Sequence, residues 1–132
     1  MMKKSKIIVV SCLIFVVLLF VSAYLIYDSL FPKAPPIEFP SLDQDIKMIF
    51  EYPDGTVEEI LHESTFTGHS GFHDHLMRAK PTRIMSANDY PAGEEYTKIS
   101  FVCSYKTYTY YLYEKNGTTY IEVPYEGVYI VD

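Results

Sequence analysis

From Ile7 to Tyr27 the chain reads IIVVSCLIFVVLLFVSAYLIY, twenty-one residues without a charge. At a helical rise of about 1.5 Å per residue, this run crosses the roughly 30 Å hydrocarbon core of a bilayer. Lys3, Lys4 and Lys6 precede it and Asp28 follows it. A lysine excess marks the cytoplasmic end of a span, so the rest of the chain is expected on the outer side. A basic start ahead of an apolar run also opens secretory signals, and Val21-Ser22-Ala23 offers small residues to a signal peptidase. Tyr24-Leu25-Ile26-Tyr27 stays apolar where a cleaved signal turns polar, which favours a retained anchor. Cys12 lies inside the run and reads as an ordinary membrane-helix residue, while Tyr24 and Tyr27 suit the outer headgroup layer.

Beyond the run the period changes. Pro32, Pro35, Pro36 and Pro40 deny helix and predict an extended spacer over residues 28–40. From Asp45 to Tyr52, Ile46, Met48, Phe50 and Tyr52 alternate with Lys47, Ile49 and Glu51, the two-residue period of a strand with one buried face. Pro53-Asp54-Gly55 supplies a turn, and Thr56 to Leu61 resumes the alternation to complete a hairpin. Phe66, His69, Phe72, His73, Leu76 and Met77 recur at three and four residues, predicting a short amphipathic helix within Ser64 to Ala79 that stops before Pro81. Thr82 to Gly93 has no clean period and reads as a loop crossing back to the sheet.

The last third is strand pattern throughout: Tyr96 to Tyr105, Thr107 to Lys115, Thr118 to Val123 and Val128 to Val131, with nine of the thirteen tyrosines between Tyr96 and Tyr129. Asn116-Gly117 suits a two-residue turn whose twist matches the strands. It sets Lys115 opposite Thr118, Tyr113 opposite Tyr120, Leu112 opposite Ile121 and Tyr111 opposite Glu122. The predicted fold is α+β: an N-terminal transmembrane helix, then a small antiparallel β-sheet domain of about five or six strands in hairpins, with one short helix packed on one face. The expected division is 1–27 as basic tip and anchor, 28–40 as spacer and 41–132 as an extracytoplasmic domain.

Tyr111-Leu112-Tyr113-Glu114-Lys115-Asn116-Gly117 and Tyr120-Ile121-Glu122-Val123-Pro124-Tyr125-Glu126-Gly127-Val128-Tyr129 together form a recognisable ending. It resembles the YxYxKxGxxYIExPYxGIY ending of small single-pass Gram-positive membrane proteins that carry an extracytoplasmic domain of unknown function. Ala79-Lys80-Pro81-Thr82 and Ser86-Ala87-Asn88-Asp89-Tyr90-Pro91 resemble the middle of that domain. The resemblance covers most of the outer part, implies an anchored extracytoplasmic domain and implies no activity.

Charge narrows the partners. All three N-terminal lysines belong to the anchor, so the outer part carries eight Lys/Arg against seventeen Asp/Glu. Such a surface repels phosphate backbones, which argues against nucleic acid, and fits cationic partners: divalent ions, basic peptides or a polycationic wall component. The expected partners are the lipid bilayer through Ile7–Tyr27 and an envelope protein or cell-wall component. Cys12 and Cys103 cannot bridge, one being in the bilayer and the other in a strand, so no disulfide framework is expected. Cys103 alternates with Ile99, Phe101 and Tyr105 and reads as a small buried residue.

Candidate chemistry is sparse. His62, His69, His73 and His75 fall within fourteen residues, and His69 and His73 share a helix face at the spacing two zinc ligands need, with Asp74 or Glu63 to add an oxygen. The HExxH arrangement is absent and Gly71 interrupts the pair. Gly68-His69-Ser70-Gly71 lacks the spacing of a GxSxG nucleophile turn, and Asp43/Asp45 and Glu58/Glu59 are paired only in sequence. No cofactor is expected. If Leu112 and Ile121 face the core, Tyr111, Tyr113 and Tyr120 with Glu122 form a binding surface able to stack on a sugar or grip a peptide. The functional expectation is a membrane-anchored, non-catalytic binding module. The alternatives are a small metal-dependent enzyme using His69 and His73, an envelope-modifying enzyme, or an accessory subunit of a membrane complex.

Overall fold

The structure, a computed structural model, describes residues 3–41, 45–62 and 70–131. It divides into two units, Met1–Pro32 and Lys33–Asp132. The first is the helix α1, Lys4–Leu30, whose 27 residues form one helix long and apolar enough to cross a membrane. The Ser22 hydroxyl donates to the Leu18 carbonyl at 2.8 Å, so this polar side chain is satisfied within the helix itself. Pro32 follows directly on Phe31 and cannot continue the helical hydrogen bonding.

The second unit is built on a seven-stranded antiparallel sheet: β1 Ile46–Glu51, β2 Val57–His62, β3 Lys80–Pro81, β4 Thr97–Val102, β5 Thr107–Lys115, β6 Thr118–Val123 and β7 Gly127–Val131, in the order β2-β1-β4-β5-β6-β7-β3. One helix, α2, Ser70–Arg78, lies between β2 and β3 in the chain. Phe72 on α2 meets Phe101 at 5.8 Å and Tyr110 at 6.0 Å, both edge-on. With Leu76 it covers a core of Ile46, Met48, Ile99, Phe101, Tyr110, Ile121 and Tyr129, every second residue of five strands. That placement follows from the two-residue period, which sends alternate side chains to one face.

The hairpin turns form as their residues dictate. Asn116 (φ 51°) and Gly117 (φ 76°) both take the left-handed conformation that a two-residue hairpin turn requires, and the observed pairing is Lys115 with Thr118, Tyr113 with Tyr120, Leu112 with Ile121 and Tyr111 with Glu122. Between β1 and β2, Gly55 is left-handed and the Asp54 carboxylate accepts from the Thr56 N–H at 2.9 Å.

Two features depart from expectation. Among the described residues the sheet has seven strands instead of five or six, because Lys80 and Pro81 pair with Ile130 and Tyr129 as a two-residue edge strand. Proline tolerates that position because an edge leaves its missing N–H unmissed. The stretch expected to be spacer, 28–40, splits between α1 and the second unit, and residues 33–40 lie against the sheet as a strap. The Ala34 N–H donates to the Thr82 carbonyl at 3.0 Å, the Tyr110 hydroxyl donates to the Glu38 carbonyl at 2.5 Å, and the Tyr129 hydroxyl donates to the Pro35 carbonyl. Buried phenols need acceptors, and an extended strap with no ladder of its own has carbonyls to spare.

Candidate binding groove

The sheet face turned away from α2 carries Lys98, Ser100, Tyr111, Tyr113, Tyr120 and Glu122. The segment between β3 and β4 crosses it: Ser86 is buried and its hydroxyl donates to the Glu122 carboxylate at 2.7 Å, and the Tyr96 ring stands edge-on to Tyr111 at 5.0 Å. Tyr111 and Glu122 are consequently buried, at 7 % exposure each. Tyr113 and Tyr120 lie farther along the same face as a half-buried stacked pair, ring centres 5.5 Å apart. Of the four residues expected to form one surface, the structure thus leaves Tyr113 and Tyr120 partly open and places Tyr111 at the floor of a groove.

That groove consists of two adjoining clefts that share Lys98 and Tyr111. The first, about 490 Å³, is walled by Tyr52 and Tyr96 with Glu51, Glu94 and Glu95. The second, about 390 Å³, runs along the N-terminal half of β5 to Val123 and Pro124, between Glu38, Asp89, Glu126 and Lys106. Its lysines are engaged: Lys98 pairs with Glu51 at 3.2 Å, and Lys106 pairs with Glu38 at 3.0 Å while its ammonium lies 4.6 Å from the Tyr108 ring centre. Lys115 pairs with Glu94 at 3.4 Å. Glu95, Asp89 and Glu126 meet no cation among the described residues.

The phenols here are held neutral. Burial pushes the Tyr111 hydroxyl up, with Lys98 opposing; the hydrogen bond to Glu58 at 2.8 Å raises Tyr52; and burial, then the Glu122 charge, carries Tyr113 up to about 12. Each raised value keeps the ring a hydrogen-bond donor with an uncharged face and denies the groove a phenolate base near neutrality. Among the described residues, the clefts are lined by no histidine or cysteine. What remains is a surface of aromatic faces and carboxylates, groups whose ring contact and charge both favour cations.

Among the histidines, His69 lies outside the described residues, and His73 belongs to α2 with its side chain likewise outside them. The described residues hold no group of three metal-ligating side chains. Sequence reasoning reached Tyr111 through the hairpin register but missed Tyr52, Tyr96 and Glu95. Glu94-Glu95-Tyr96 stands out as an acid–acid–aromatic run, yet its position against Tyr111 depends on how the segment between β3 and β4 folds over the sheet.

An apolar membrane-length helix followed by a tyrosine-rich antiparallel sheet with one covering helix sets the class of protein. Residues 37–130 match the family DUF5301, described as "Domain of unknown function (DUF5300)", and the chain belongs to it. An NMR structure of a protein from Ruminococcus gnavus is similar at 26 % identity and a TM-score of 0.57, over 74 % of this chain and 91 % of that one. No curated protein matches.

Proposed function

We propose that this chain is a membrane-anchored, extracytoplasmic and non-catalytic binding module whose groove takes a ligand with cationic groups. The observation that carries the reading is the cleft of Tyr52, Tyr96 and Tyr111 beside Glu51, Glu94 and Glu95, on a chain whose outer part is strongly acidic. An ammonium on a tyrosine face gains about 0.5–1 kcal/mol at exposed sites, so affinity here accumulates over several contacts. Hexalysine titrated into the full chain in detergent should bind in a salt-sensitive manner. Glu95→Gln together with Tyr52→Ala should weaken it by roughly fivefold or more, as two such contacts imply. Equal affinity of parent and double variant would remove the groove from the reading.

The outer placement rests on Lys3, Lys4 and Lys6 before α1 and Asp28 near its end. Ser104 is exposed in the turn between β4 and β5, whereas the native Cys103 is buried and its thiol is pushed up by that burial. A Ser104→Cys variant should therefore react with a membrane-impermeant maleimide on intact cells, over a low background. Labelling that appears only after lysis would reverse the topology.

A further inference from the structure

We propose that the second cleft is a strand-addition site, where the main chain of an extended peptide bearing cationic side chains pairs with the open half of β5. This inference rests on the binding-module reading and names its ligand class. β4 pairs with Thr107 to Leu112 of β5, whereas β6 pairs only with Tyr111 to Lys115. Among the described residues, Thr107 to Tyr110 therefore has a strand on one side and the cleft on the other. β6 stops there because Pro124 has no N–H to continue the ladder, and Tyr125, at φ 62°, swings the chain into the turn before β7.

The direction of the unpaired groups follows from the antiparallel pattern. The Cys103 N–H donates to the Lys106 carbonyl at 2.9 Å, which makes that pair one that exchanges hydrogen bonds. Alternation then makes Phe101–Tyr108 and Ile99–Tyr110 the next such pairs and turns the N–H and C=O of Thr107 and Thr109 toward the cleft. Four residues of edge, roughly 13 Å, accept a tetrapeptide stretch running in the direction of β6. Main-chain bonds of this kind supply affinity without regard to sequence, and the alternate side chains supply selectivity. Here the selectivity is for cations: Asp89 and Glu126 border the cleft, and its two lysines are already neutralised by Glu38 and Glu51.

The test uses the full chain in detergent, hexalysine, and a hexalysine analogue whose backbone amides are replaced by esters, which keeps the charges and removes the N–H donors. Strand addition predicts that hexalysine slows amide hydrogen exchange at Thr107 and Thr109, and that the ester analogue binds at least tenfold more weakly. Equal binding of the two peptides, with exchange at both threonines unchanged, would overturn strand addition and leave the binding module standing. No binding of hexalysine at all would overturn both. Slowing of exchange at Thr107 and Thr109 on raising the protein concentration alone would assign the edge to a second copy of this chain and overturn the peptide assignment.

Discussion

Gly127→Ala should destabilise the second unit by about 1–3 kcal/mol, the range for forcing an extra carbon into a filled site. Gly127 opens β7 and is buried, and its φ is not in the left-handed region, so glycine is not needed there for its backbone freedom. It is needed for space. A Cβ at 127 would come within 2.4 Å of the Ala34 Cβ and 3.5 Å of the Ile84 carbonyl oxygen. Ala34 cannot retreat freely, because its N–H is bonded to Thr82 and the strap beyond it receives the Tyr129 and Tyr110 hydroxyls. The clash is with one methyl group, which makes the mechanism separable from general damage. Ala34→Gly removes that methyl, so the double variant Ala34→Gly/Gly127→Ala should recover most of the loss even though Ala34→Gly alone is mildly destabilising. Urea unfolding of the full chain in detergent, followed by circular dichroism, measures all four proteins. A Gly127→Ala variant as stable as the parent, or a double variant no better than Gly127→Ala, would show that strap and β7 do not approach as described.

The strap also marks where reasoning from local pattern ends. β5 and β6 were predicted to the residue because Asn116-Gly117 fixes both turn and register within the hairpin itself. The two-residue alternation of Ile46, Met48 and Phe50 likewise gives their common face before any partner strand is known. Residues 33–40, by contrast, have the composition of a spacer, and what draws them onto the sheet are phenols 72 and 94 positions away in the chain. A two-residue edge strand such as β3 has no period at all, so only its pairing with β7 reveals it. The tyrosine face shows the same limit. Register put Tyr111, Tyr113 and Tyr120 on the face away from Leu112 and Ile121, and they do share it. Which of them a ligand can reach was decided instead by Ser86 and Tyr96, on a segment with no periodicity to read.

Above pH 10 the second unit should lose stability steeply, and its buried tyrosines should ionise only as it unfolds. The phenol of an unfolded tyrosine titrates at about 10. In the fold, burial carries Tyr129 and Tyr113 up to about 12 and Tyr110 higher still. A raised folded value means that the unfolded chain releases the proton first. Below pH 10 both states are protonated and the native contacts count in full; between pH 10 and 12 the unfolded state binds fewer protons, so stability falls as pH rises. For Tyr129, which has no exposed surface, a displacement of this size amounts to something on the order of 2 kcal/mol by pH 12. The buried phenols should give phenolate absorbance only together with unfolding. Tyr129→Phe isolates one group's share of this behaviour. It removes the hydrogen bond to the Pro35 carbonyl, so it should be less stable than the parent at neutral pH by about 1 kcal/mol. It also removes the group that resists ionisation, so its stability should fall less steeply between pH 10 and 12, and the two curves should converge there. Parallel curves for parent and variant, or phenolate absorbance from the buried tyrosines near pH 10 with the circular dichroism still native, would place Tyr129 in water instead of under the strap.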